Sequence, residues 1–71
     1  MAGPQQVASP THVQRFLKGL SYPGGKAELI ATARRHGADE SVMTTLGYLP
    51  DQTYDSPNDV AEAIARLERA R

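Results

Sequence analysis

Phe16-Leu17-Lys18-Gly19-Leu20-Ser21-Tyr22-Pro23 places the end of an amphipathic helix, a glycine stop and an aromatic–proline bend in one short run. Val13, Phe16, Leu17 and Leu20 stand at i, i+3, i+4 and i+7, which is one apolar stripe of a helix. Gly19 closes that helix, because glycine takes the left-handed conformation without a Cβ clash. Tyr22, lying before proline, is pushed away from helix. A chain that ends a helix and bends here must fold its later apolar stripes back against the first. The stretch therefore predicts an all-α fold.

Upstream, Ser9-Pro10 is a helix start: a serine that can cap, then a proline at the first helical position. The first helix is expected from Pro10 to Lys18. Met1 to Ala8 is polar and without period, which predicts a disordered tail over 1–8 and a single helical domain over 9–71. Downstream, Pro23-Gly24-Gly25 is turn chemistry, with Gly24 placed to supply a positive φ. A second helix is expected from Lys26 to His36, entered through Gly25, with Leu29, Ile30 and Ala33 on its apolar face. Gly37 ends it. Asp39 caps a third helix over Glu40 to Gly47, carrying Val42, Met43 and Leu46 on its buried stripe, with Leu49 a further candidate for it. Ser56-Pro57-Asn58-Asp59 repeats the serine–proline start for a fourth helix running nearly to the C-terminus, with Val60, Ile64 and Leu67 inward. No segment alternates as a strand would. The expectation is a compact bundle of four short helices with no sheet, and Phe16, the one phenylalanine, at the centre of its core.

Seventy-one residues make one small domain with a thin margin of stability. There is no cysteine, so no disulfide can reinforce it, and the absence fits a reducing cytoplasm. Eight basic and eight acidic side chains cancel, which leaves no long-range pull on nucleic acid or an anionic membrane. No apolar run is long enough to span a membrane, and the first residues lack the basic flank and apolar block of a signal peptide. A soluble cytoplasmic protein is expected.

The phrases V-Q-R-F-L-K-G-L-S-Y-P, A-E-L-I-A-T-A, H-G-A-D-E and L-P-D-Q-T-Y-D-S-P-N-D-V, in that order, resemble a family of short bacterial domains of unknown function, family 2795. The resemblance runs from about Val13 to Ile64. It implies a compact helical domain and supplies no catalytic or ligand residues. Gly24-Gly25 departs from it, standing where such domains often place alanine and a hydroxyl cap.

No reactive constellation is assembled by local spacing, so the chain is not expected to be an enzyme or to hold a cofactor. Gly24-Gly25-Lys26 lacks the upstream glycine and following Ser or Thr of a phosphate loop. His12 and His36 fall on different helices, and a metal site needs three or four ligands. Asp51, Asp55 and Asp59, four apart, lack the alternating oxygens and central glycine of a calcium loop. A helix-turn-helix reading would send the third helix into a groove. Its outward residues would be Glu40, Ser41, Thr44 and Thr45, with no cation, and phosphate contacts dominate DNA affinity. Only Arg34 and Arg35 are then candidate nucleic-acid contacts.

Tyr22 and Tyr54 read as core-edge residues with wet hydroxyls. Tyr48 lies about 200° around the helix from Leu46. With Leu49 it is the candidate contact for an unidentified protein partner or for self-association, unless a helix ending at Gly47 folds Tyr48 back as a plug. The expected function is a protein-interaction module, with a nucleic-acid-binding helix-turn-helix relative as the alternative.

Overall fold

Serine and proline open the first helix in the expected way. Ser9 is extended (φ −68°, ψ 156°), its hydroxyl accepts the His12 amide at 3.2 Å, and Pro10 takes the first helical position. The computed structural model describes residues 7–70. Helix α1 spans Pro10–Gln14 and does not reach Lys18. Beyond it the Phe16 amide bonds the Val13 carbonyl at 2.9 Å and the Leu17 amide bonds Gln14 at 3.1 Å, an i→i+3 pattern. Each residue then advances about 120° instead of about 100°, so the apolar stripe swings away from its α-helical line. Leu17 is buried, while Phe16 is only partly so, with its ring edge-on to His12 at 5.5 Å.

Gly19 (φ 84°) ends the tightened turn and Gly37 (φ 77°) ends the second helix, α2, over Lys26–Arg35. Both left-handed positions are glycine because a Cβ would clash there. The third helix, α3, runs Glu40–Tyr48 behind Asp39, whose carboxylate accepts the Val42 amide at 3.0 Å. The fourth, α4, runs Pro57–Ala70. Its entry is a relay: the Ser56 hydroxyl accepts the Asp59 amide at 3.3 Å, and the Asp59 carboxylate accepts the Asp55 amide at 3.1 Å.

The chain is mostly helical but not purely so. Gly24–Gly25 (β1) pairs antiparallel with Thr53–Tyr54 (β2), Gly24 opposite Tyr54 and Gly25 opposite Thr53. This strap ties the entry of α2 to the loop before α4, and it corrects the expectation of no sheet. Gly24 does not take a positive φ either. It is glycine because a Cβ would meet the Ser21 carbonyl at 3.3 Å and the Glu28 side chain at 3.4 Å. The neighbouring Tyr22–Pro23 peptide is cis.

Helix α1 packs on α4, and α2 packs on α3, around one core. The radius of gyration, 11.3 Å, equals the ~11 Å of a compact chain of this length. Val13, Leu17, Leu29, Val42, Leu46, Val60 and Ile64 are buried, as their stripes predict. Phe16, Leu20, Ile30 and Leu67 pack at its margin. The centre belongs to Tyr54, the largest fully buried side chain, whose hydroxyl donates to the Pro50 carbonyl at 2.6 Å. Neither Phe16 at the centre nor a wet Tyr54 hydroxyl survives.

Ala8, placed by the sequence in the tail, belongs to the fold. Residues 1–6 lie outside the described part, but Ala8 is buried and its amide donates to the Thr45 hydroxyl at 2.7 Å. Among the described residues no helix is long and apolar enough to cross a membrane.

Candidate functional site

Gly47 lies inside α3, not at its end, so the helix carries Tyr48 outward before Leu49 breaks from it with extended backbone (φ −68°, ψ 150°). Tyr48 is 51% exposed, the one exposed large hydrophobic among the described residues. It does not fold back as a plug. Leu49 was the other candidate contact, and it is buried at 2% exposure. One residue of extended backbone reverses the side-chain direction, so these neighbours occupy opposite sides of the surface. Beside them Lys26 donates to the Gly47 carbonyl at 2.8 Å, which joins the start of α2 to the end of α3. The lysine of the glycine–glycine–lysine run thus closes a helix end. A shallow groove of about 250 Å³ follows, formed by Lys26, Ala27, Ile30 and Asp51.

Arg34 and Arg35 are both exposed at the end of α2. Arg35 lines a groove with Lys18 and His36, and Arg34 does not. The α3 surface also differs from the one expected of a groove-reading helix. Thr45 is fully buried under Ala8, and its own hydroxyl donates to the Ser41 carbonyl at 2.7 Å. Ser41 and Thr44 are partly buried.

His12 and Asp39 join α1 to the start of α3. His12 Nε2 lies 2.8 Å from Asp39 Oδ2, and among the described residues no Lys or Arg is within salt-bridge distance of a carboxylate. Asp39 also accepts the Ser41 hydroxyl at 2.8 Å. The His12 hydrogen bond first, then those from Ser41 and Val42, hold the Asp39 carboxyl down at about 2, against 3.8 ordinarily. A depressed carboxyl stabilises the fold fully above its unfolded value and loses that contribution as pH falls through the folded one. The Asp39 contribution is therefore intact above about pH 3.8 and disappears toward pH 2. Asp39→Asn keeps an amide oxygen able to cap but removes the charge. Its thermal midpoint is expected to lie below the parent's at neutral pH and to converge with it near pH 2. Parallel curves across that range would show that the pair adds nothing.

Among the described residues no three or more His, Asp or Glu side chains gather as a metal site would need. Tyr22 differs from the wet core-edge residue expected: its hydroxyl is buried without a hydrogen-bond partner, and burial raises its pKa above 10.0.

Ala8 and Thr45, which close the N-terminal side of the core, carry no sequence signal that marks them. Alanine fits any helix or loop, and threonine is a residue type mostly found exposed.

Neither the curated proteins nor the solved structures contain a match to this chain. Residues 8–61 match the family model described as Protein of unknown function (DUF2795). That span begins at the buried Ala8 and closes in the first turns of α4, so it takes in the strap, Tyr54 and the α2–α3 pair. The chain belongs to the DUF2795 family.

Proposed function

We propose that this is a non-enzymatic cytoplasmic domain that binds another protein, or a second copy of itself, through the surface around Tyr48. The observation that carries the reading is the 51% exposure of Tyr48 where, among the described residues, the other large apolar groups are buried wholly or in part. Tyrosine offers a large contact area with only two torsions to freeze, so its entropic cost on binding is low. Ala27 and Ile30 extend the apolar surface nearby, and Lys26 and Asp51 supply a polar margin. This is the centre-and-rim composition of protein interfaces. Leu49 takes no part in it.

The nucleic-acid alternative draws its support from the exposed Arg34 and Arg35. It is the weaker reading, because α3 carries no Lys or Arg and the chain is neutral overall.

Capture of partners from the source cell, with and without nuclease, separates the two. Tyr48→Ala is expected to weaken a protein complex by at least ~1 kcal/mol. The same change is expected to move folding stability by no more than ~0.5 kcal/mol. A binding isotherm, or sedimentation for self-association, set beside a thermal melt checks both. A nuclease-sensitive partner, or unchanged binding by the variant, would remove this reading.

A further inference from the structure

A second surface, independent of Tyr48, has a different chemistry. The turn after α1 and one face of α2 enclose an open groove of about 360 Å³. Lys18 enters it from the turn, and Arg35 and His36 enter from the end of the helix. We propose that this groove binds a phosphate-type oxyanion, held by Lys18 and Arg35, with His36 fixing the spacing between them.

The ring of His36 is already fixed. Its Nε2 lies 2.9 Å from the Lys18 carbonyl, and a carbonyl only accepts, so Nε2 carries the hydrogen. That bond joins the two walls of the groove and sets the spacing between the lysine and the arginine. Neither cation is spent on a carboxylate, since among the described residues no Lys or Arg is within salt-bridge distance of one. Ser21 and Thr32 add hydroxyl groups to the lining. Glu28 is the one carboxylate there. It lies seven residues before Arg35 on the same helix, about 10 Å away along the axis at 1.5 Å per residue.

The end of a helix is ordinarily electronegative, and basic residues there can serve only to complement it. Here the carbonyls of Thr32, Ala33 and Arg34 already have partners. The Gly37 amide bonds Arg34 at 3.1 Å, the Ala38 amide bonds Ala33 at 3.0 Å, and the His36 amide bonds Thr32 at 3.1 Å. Arg35 is not needed as their donor. A guanidinium fork and an ammonium around one opening, their spacing set by the His36 bond, form a donor set suited to a tetrahedral oxyanion. Leu20, partly buried, borders the same groove and offers apolar contact to an organic ester.

Amide-resolved NMR titration at constant ionic strength, with inorganic phosphate and phenyl phosphate as probes, tests this. Saturable shifts are expected at 18–21 and 32–37. Lys18→Ala and Arg35→Ala are each expected to weaken binding about tenfold, the loss of one charged hydrogen bond. Arg34→Ala, one residue away but outside the groove, is expected to leave binding unchanged. The variants' own spectra report whether they remain folded. Tighter binding of phenyl phosphate would assign a phosphomonoester, and equal binding would assign free phosphate. Shifts that never saturate, equal shifts at Lys26 and Arg69, or an Arg34→Ala loss matching that of Arg35→Ala would overturn the site.

Discussion

Tyr54→Ala is expected to leave the chain largely unfolded at room temperature. The ring is fully buried, and it pairs across the strap with a glycine that has no side chain of its own to fill the space. Truncating a buried aromatic residue to alanine costs about 3–5 kcal/mol, and a domain this small has little more than ~3–5 kcal/mol in its core. Phe16→Ala is expected to be milder, because Phe16 is only partly buried. Tyr54→Phe keeps the ring and loses the hydrogen bond to Pro50, a change of about 1 kcal/mol. Circular dichroism melts of the three variants check the order. A cooperative Tyr54→Ala melt close to the parent's would show that the core does not depend on this residue.

Alkaline pH offers an independent check. Burial first, and then the negative charge of Asp51, raise the Tyr54 pKa above 10.0. A group raised on folding contributes its full stability below the unfolded value and loses it as pH rises through the folded one. Stability is thus expected to fall above about pH 10. Tyr54→Phe is expected to remove part of that fall. The buried Tyr22 hydroxyl, raised in the same direction by burial, contributes to the fall as well.

Leu49→Ala is expected to destabilise the fold by about 2–5 kcal/mol, the range for removing a buried leucine side chain. Its neighbour supplies the contrast: Tyr48→Ala should scarcely move the melt. Leu49 is 2% exposed and Tyr48 is 51% exposed. The backbone between them turns from helix to extended at the point where Leu49 caps α3. Chemical denaturation of the two variants side by side measures the difference. A Leu49→Ala midpoint equal to the parent's would place Leu49 on the surface and restore it as a contact.

The helices were legible because their signals are local. Ser9, Asp39 and Ser56 each bond an amide three residues on, a reach that short sequence motifs encode. Gly19 and Gly37 stop their segments through their own φ. The spacing of Leu29, Val42, Leu46, Val60 and Ile64 was enough to assign them to the core, because helical phase is a property of a few consecutive residues. The candidate site was half legible. Phase turned Tyr48 outward, but glycine chemistry ended the helix at Gly47, whereas α3 continues through Tyr48 and leaves helix only at Leu49.

What the tertiary structure alone decided depends on partners far apart in the chain. The strap joins only two residues at each end: Thr53–Tyr54 favours strand but is too short to show alternation, its partner is a pair of glycines that disfavours strand, and only the meeting of the two creates the pairing. Ala8 reaches Thr45 across 37 residues, and His12 reaches Asp39 across 27. Tyr54 is central because the loop that carries it is drawn across the helices by that strap. Helix stripes and caps state which face of each segment is apolar. They do not state which distant segment will cover it, because that choice follows from the path of the whole chain.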